Sequence, residues 1–496
     1  MKQWVLVSGL LAAVLAGFAA KLLIVPDFEA ETDAAVVNVD DAVAGEAVET
    51  ASVDEKEAAE LRNAQSNKIA WTVAVVALCA VWWIFEPIPI AVTSLVPLAV
   101  FPMVGVLDLD TVAKAYGDKL VLLMMGGFML SMAMERSGTH RRIALNMVSL
   151  FGGQSGGRRL VLGFMTTSAV LSMWISNAAT TLVLLPIVSA VIEKSGDKRL
   201  QTCLLLGVAY AASIGGIATP IGTPPNLLFF DNYVKAGGVE PTFLTWMQWA
   251  LPILVIMLPV SAFWLTRGLS KQQGLELPKV GKWRPEEIRT LIVFAVTALL
   301  WVTRREPFGG WSELTGLTGA HDSSVALLAV VVMHIVPNGK GEALLTWDTA
   351  VKIPWGVLIL YGGGIAIAQA FRSSGLTTLI GESLDFVSAI PVLLMILLIC
   401  LAVTFLTEVT SNTATATLLL PILAGTAVAA SVDPRLLMVP ATISCSFAFM
   451  LPVATPPNAI VFSSEKITIR QMAREGLALN LIGVVIVTLI CWLQFA

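Results

Sequence analysis

The chain has 496 residues, of which 56% are apolar and only 13% are charged, and its mean hydropathy is +0.81. A soluble domain carries about 25% charged residues, so these values exclude a soluble globular protein, and they exclude disorder and collagen as well. A bilayer-crossing helix needs about 20 apolar residues, which leaves an integral membrane protein with room for roughly a dozen spans; the net charge of −4 means little until it is located.

The first apolar segment, 4–25, follows Lys2 and has no clear small-residue cleavage site after it. It is read as a retained first transmembrane helix, within 1–26, rather than a signal peptide. Residues 27–67 then hold twelve Asp or Glu against two Lys or Arg and are read as an acidic external loop, a solvated spacer. Apolar segments recur from 69–86 to 475–495, several too short to span alone. Runs interrupted by Pro, Gly or polar residues, as in 160–192 and 391–431, predict re-entrant hairpins, and those around Thr-Pro-Pro-Asn predict broken helices.

With the N-terminus inside, the loops near 136–159, 194–199, 267–289, 337–352 and 463–474 fall on the cytoplasmic side and, with Lys2, hold 20 of the 31 Lys and Arg residues. That topology leaves about 11 transmembrane helices besides the two hairpins and puts the C-terminus outside. Cys79, Cys203, Cys400, Cys445 and Cys491 all lie in apolar stretches without a CxxC pair, and His140, His321 and His334 are far apart without HExxH. A disulfide frame, a zinc site and intramembrane metalloprotease chemistry are therefore not expected. The absence of a basic domain removes nucleic acid as a partner.

The chain repeats itself at a period near 235. Ser176-Asn177-Ala178-Ala179-Thr180 with Leu184-Leu185-Pro186-Ile187 returns as Ser411-Asn412-Thr413-Ala414-Thr415 with Leu419-Leu420-Pro421-Ile422. Thr223-Pro224-Pro225-Asn226 returns as Thr455-Pro456-Pro457-Asn458, and Gly126-Gly127 with Arg136-Ser137 returns as Gly362-Gly363 with Arg372-Ser373. One hairpin opens inside and the other outside, so the halves are inverted, which is the architecture of secondary transporters with the site at the midplane. The division expected is 68–265 for the first transport repeat, 266–289 for a basic cytoplasmic linker and 290–496 for the second, inverted repeat.

The repeated residues carry a chemistry. Ser and Asn are strong N-caps, so a helix should start after Ser176-Asn177 and again after Ser411-Asn412, turning free N–H groups and the positive end of the dipole towards each tip. Two such tips suit an anion with two charged ends. Ser172 and Ser176, and likewise Thr407 and Ser411, are four apart, which on one helix places two hydroxyls on one face. Thr-Pro-Pro-Asn cannot continue a helix, so carbonyls are left free near Gly222 and Ala454. Hydroxyl, amide and carbonyl oxygens make a neutral cage for a hard cation such as Na⁺. Glu408, the main ionisable group near these residues, is read as a structural ion pair or interface residue, although an intramembrane carboxylate is also a candidate proton carrier.

These residues resemble the divalent anion/sodium symporter family, whose members carry citrate, C4-dicarboxylates or sulfate. The resemblance runs from about residue 69 to 496 and rests on MWISNAAT at 173–180, SIGGIATPIGTPPN at 213–226, IPWGVLILYGGG at 353–364, LTEVTSNTATA at 406–416 and FMLPVATPPNAIVF at 449–462. It implies an all-α polytopic membrane protein, an elevator-type homodimeric transporter that is not an enzyme. It also implies a first sodium site at Ser172, Ser176, Asn177 and Gly222 and a second at Thr407, Ser411, Asn412 and Ala454. The implied substrate contacts are Asn177, Thr223, Asn412, Thr413, Thr455 and Pro456. Ala178 stands where the family pattern has Thr, and the acidic stretch 27–67 is a second departure. The function expected is Na⁺-coupled symport of a divalent anion, foremost a C4-dicarboxylate such as succinate, with a sulfate or other inorganic-anion carrier, or a dicarboxylate exchanger, as the alternatives. The absence of a transit peptide points to the bacterial inner membrane.

Overall fold

The computed structural model describes residues 2–21, 48–151, 156–269, 281–306, 308–376, 390–430 and 432–496. Within them the chain is helical, and its one β contact is an isolated bridge between Pro337 and Ala343. Most of the acidic stretch and residues 270–280 of the expected linker lie outside the described residues.

Helix α1, Lys2–Ala19, packs against α2, Val48–Phe85. Gly9 lies beside Trp82 and Gly17 beside Ala70, so the two helices run antiparallel. Here the structure departs from an acidic loop reaching residue 67, because residues 48–67 form the first half of α2. That segment is rich in Ala and Glu, both good helix formers. A helix already nucleated by the apolar span extends over such residues at little cost.

The chain continues through α3, Val96–Met103; α4, Leu109–Tyr116; α5, Lys119–Ser137; α6, Thr139–Phe151; α7, Gly157–Ser172; α8, Asn177–Ser195; α9, Lys198–Gly216; α10, Pro224–Lys235; and α11, Phe243–Thr266. The second half holds α12, Pro285–Val302; α13, Asp322–Ile335; α14, Trp355–Ser373; α15, Val392–Thr407; α16, Asn412–Ala429; α17, Pro434–Ser444; α18, Pro456–Phe462; and α19, Ile469–Phe495. Among the described residues, five stretches are long and apolar enough to cross a bilayer alone: Arg62–Phe85, Leu109–Ser137, Phe243–Thr266, Trp355–Ser373 and Ile469–Phe495. Shorter apolar helices, such as Asn177–Glu193 and Val392–Thr407, alternate with them. The protein is a multi-pass integral membrane protein.

Two compact units emerge. The first comprises Met1–Gly117, Ile359–Ala389 and Pro421–Val432. In it Trp83 Nε1 donates to Ser94 Oγ at 3.0 Å, and Gln65 Nε2 donates to the Ser374 carbonyl at 2.7 Å. The second comprises Asp118–Leu358, Ile390–Leu420 and Asp433–Ala496 and contains both Ser-Asn tips and both Thr-Pro-Pro-Asn segments. There α7, α9 and α11 pack on one another, and α15, α17 and α19 repeat the arrangement. The two clusters join through α11 against α19, α8 against α18 and α10 against α17. Each half thus packs its broken segment on helices of the other.

Candidate functional site

The first hairpin turns over at residues 173–176. Helix α7 ends at Ser172, and α8 begins at Asn177 with Ser176 as its N-cap, the Ser176 hydroxyl accepting from Ala179 N at 3.2 Å. The second hairpin matches it: α15 ends at Thr407, and the Ser411 carbonyl accepts from Thr415 N at 2.9 Å as α16 begins. The expectation that Ser172 and Ser176, or Thr407 and Ser411, share a face of one helix is therefore corrected. The chain leaves the helix between them, because a capping Ser needs non-helical backbone angles. The contact that forms instead spans five residues. Ser172 Oγ donates to Asn177 Oδ1 at 2.5 Å, and Thr407 Oγ1 donates to Asn412 Oδ1 at 2.9 Å.

Each broken helix lies against its hairpin. Helix α9 ends at Gly216, and the chain turns through residues 217–223 before Pro224 opens α10. A Cβ on Gly216 would come within 2.7 Å of Asn177 Oδ1, and one on Gly222 would strike the Gly216 carbonyl oxygen. Both positions need glycine for that close approach, and together they bring Ser172, Asn177 and Gly222 into one neighbourhood. In the second half α17 ends at Ser444, and α18 begins at Pro456 after Thr455. Thr407 Oγ1 also reaches the Cys445 carbonyl at 2.9 Å, which ties that break to the second tip. Ala454 N bonds the Leu451 carbonyl at 3.2 Å.

Backbone at membrane depth must find partners inside the protein, and the repeat supplies them symmetrically. Asn226 Nδ2 donates to the carbonyls of Gly216, Ile217 and Thr219 at 3.0, 3.3 and 2.7 Å. Asn458 Nδ2 donates to those of Ala448 and Leu451, both at 3.0 Å. The Oδ1 atom of each is buried without a partner. A buried acceptor left unsatisfied costs about 1–3 kcal/mol, and that cost recurs at equivalent positions of two motifs. Buried neutral oxygens that lack donors, set beside interrupted backbone, suit a hard monovalent cation. Among the described residues no group of three His, Cys, Asp or Glu offers a site for a transition metal.

The halves differ in how the break is braced. In the first, Thr219 Oγ1 bonds the Met173 carbonyl and Trp246 Nε1 donates to the Ile217 carbonyl at 2.8 Å. In the second, the buried Glu408 carboxylate accepts from Met450 N at 2.8 Å, Leu451 N at 3.0 Å and Asn480 Nδ2 at 2.7 Å. Of the roles expected for Glu408 the structure displays the interface one: the three donors come from two other segments, the break at 450–451 and α19.

Thr223 and Thr455 are buried N-caps of α10 and α18, and only Thr455 uses its hydroxyl to cap, accepting from Asn458 N at 3.3 Å. Thr413 is buried, whereas Pro456 and Ser176 are exposed. Ser176 lines a narrow cleft with Gly127, Phe128, Ser131, Trp174 and Ile221, with a free volume of about 10 Å³, room for one water-sized body. Trp174 itself is pinned between Phe243 (5.9 Å, stacked) and Phe294 (5.8 Å, edge-on), which steadies the tip two residues before the cap. Asn226, Asn458, Asn480, Thr219 and Trp246 were not assigned roles from sequence. The first two close the repeated Thr-Pro-Pro-Asn motif, a signal open to the eye, while the others carry none.

Comparison with known proteins follows the same lines. The sequence profile described as the sodium:sulfate symporter transmembrane region matches residues 63–495. A sodium-dependent dicarboxylate transporter, SdcS, of Staphylococcus saprophyticus is 38% identical over 452 residues, covering 86% of each chain. The SdcS of Staphylococcus aureus is 37% identical over 450 residues with the same coverage. Among solved structures, the YdaH transporter of Alcanivorax borkumensis aligns with a TM-score of 0.53 at 14% identity, over 80% of this chain and 88% of that one. MtrF of Neisseria gonorrhoeae, described as an antimetabolite efflux pump, aligns at 0.55 and 13% identity, over 78% and 83%. At such identities the two structures speak for the fold alone.

Proposed function

The chain belongs to the family defined by the sodium:sulfate symporter transmembrane region, and from that premise we propose that it is a Na⁺-coupled carrier of a dicarboxylate, with a C4 acid such as succinate as its substrate. The observation that carries the reading is the doubled site: the Ser172–Asn177 and Thr407–Asn412 pairs, each set against a break in a buried helix. Sodium-dependent dicarboxylate transport is what the SdcS relatives are named for.

In this reading Ser172, Ser176, Asn177 and Gly222 hold one sodium ion, and Thr407, Ser411, Asn412 and Ala454 hold the other. Asn177, Thr223, Asn412, Thr413, Thr455 and Pro456 meet the anion. The N–H groups that open α8 and α16 face the carboxylates, with the cations offsetting their charge. Net inward movement of positive charge is assisted by the membrane potential by about 2.3 kcal/mol per charge per 100 mV. The elevator motion and a homodimer belong to the same reading, supported by the family resemblance.

The test is uptake of labelled succinate into proteoliposomes under an imposed Na⁺ gradient. Uptake should vanish when choline replaces Na⁺, and equal uptake in choline would remove the coupling. Ala178 withdraws one hydroxyl from the first tip and leaves room for sulfate or another inorganic anion as a second reading. Full competition by sulfate against succinate would decide for it, and uptake that requires internal anion would decide for exchange.

A further inference from the structure

We propose that Asn226 and Asn458 are themselves sodium-binding residues, each offering its carboxamide oxygen to the cation while its nitrogen holds the broken backbone in place. The inference rests on the Na⁺-coupled reading and adds two ligands to it. Asn226 Nδ2 lies within hydrogen-bonding distance of three carbonyl oxygens, and Asn458 Nδ2 within reach of two. Exchanging oxygen and nitrogen in either amide would set an acceptor against acceptors, so the orientation is fixed by chemistry. Each Oδ1 is thereby turned away from those carbonyls, and each is buried with no donor.

Both side chains are wholly buried, with 0% exposure. A buried carboxamide oxygen without an N–H or O–H partner is an acceptor open to a donor or a cation. The neighbourhood fits that demand. Asn226 bonds the Gly216 carbonyl, whose residue lies against Asn177 Oδ1 and Gly222. Asn458 bonds the Leu451 carbonyl, to which Ala454 N also donates. Each asparagine nitrogen is therefore bonded to backbone that adjoins the residues already assigned to its half of the site, and its buried oxygen lies on the same side chain. An anion is not the occupant of this position, because the oxygen would repel it. A hard cation is, since it takes neutral oxygens. The same arrangement arises twice from two copies of Thr-Pro-Pro-Asn, which an accident of local packing would not produce.

The experiment follows thermal unfolding of the purified full-length protein in detergent while Na⁺, or Li⁺, replaces choline at constant ionic strength. A cation that binds only the folded state raises stability with its concentration. Asn226→Leu and Asn458→Leu should each shift the half-saturating Na⁺ concentration upward by about 10–100-fold and change the Na⁺/Li⁺ preference. Asn226→Asp and Asn458→Asp, which keep an oxygen and lose the donor, should retain stabilisation by Na⁺. Leucine variants with the wild-type Na⁺ midpoint and Na⁺/Li⁺ ratio would overturn the proposal. So would a loss of stability that is equal in choline and in Na⁺, which marks a purely structural role. Should the leucine variants fail to fold, the aspartate variants decide, and loss of their Na⁺ response overturns it. Asn177→Ala and Asn412→Ala run alongside. If the wild type shows no Na⁺ response, the sodium reading fails; if those two variants lose it and the leucine variants keep it, only this inference fails.

Discussion

Asn412 accepts from Thr407 Oγ1, and the same hydroxyl also reaches the Cys445 carbonyl, so one threonine joins the second tip to the second break. Asn412→Ala removes the side-chain amide at an intermediate-exposure position and leaves the helix start in place. Uptake should be lost while the protein still elutes as a folded species; transport at the wild-type rate would refute the site. Glu408 makes a different prediction. It satisfies two backbone N–H groups and the Asn480 amide, all in or against the broken segment. Glu408→Ala leaves three buried donors unpaired, at about 1–3 kcal/mol each, and should lower the thermal midpoint sharply. An unchanged midpoint would show that the carboxylate does not brace the break. Sequence identified this carboxylate as unusual but not its partners, because Asn480 stands 72 positions away.

At the scale of elements, the hairpins and broken helices were legible because adjacent prolines and Ser-Asn pairs interrupt apolar runs. The placing of Asn177 on α9 was not. It depends on Gly216, whose missing side chain leaves the space that the Asn177 amide occupies. Gly216→Ala forces a Cβ to 2.7 Å from Asn177 Oδ1, and overpacking of this kind costs about 1–3 kcal/mol. The variant should fold with reduced stabilisation by Na⁺, read in the same melting assay; a wild-type Na⁺ response would mean that the amide has room to move aside. The helical state of residues 48–67 has no signature in their acidity, which signals solvation, whereas helix propensity and a neighbouring span decide the backbone.

Two predictions belong to the whole molecule. Glu240, in the loop between α10 and α11, meets His321 Nε2 at 3.2 Å before α13 and Lys119 Nζ at 2.6 Å at the start of α5. The His321 hydrogen bond foremost, with Lys119, holds its carboxyl down to about 2 against the opposing effect of burial. A depressed carboxylate stabilises the fold above its unfolded value near 4.5 and loses that contribution as pH falls towards 2. Wild type should therefore exceed Glu240→Gln in stability above pH 5, with the margin closing below 4.5. A margin independent of pH would exclude the ion cluster as its source. Deeper in the second unit, Arg304 and Asp322 form a buried pair at 2.5 Å, with Arg304 only 2% exposed. Arg304→Met strands a buried charge and should cost about 3–5 kcal/mol, most of it recovered in Arg304→Met/Asp322→Leu. A double variant as unstable as the single one would contradict that account.

Residue order by itself determined the membrane-embedded helical class, the internal repeat and the motifs of the family, since hydropathy, periodicity and Pro or Ser-Asn punctuation act locally along the chain. Only the tertiary structure decided which buried polar atoms are satisfied and which are left open. Asn226 and Asn458 end identical motifs, yet that their nitrogens are spent on carbonyls and their oxygens on nothing is set by the path of the broken backbone around them. Burial and hydrogen bonding depend on which groups meet across long stretches of sequence, and a bond to Asn480 or a space left by Gly216 has no local signature.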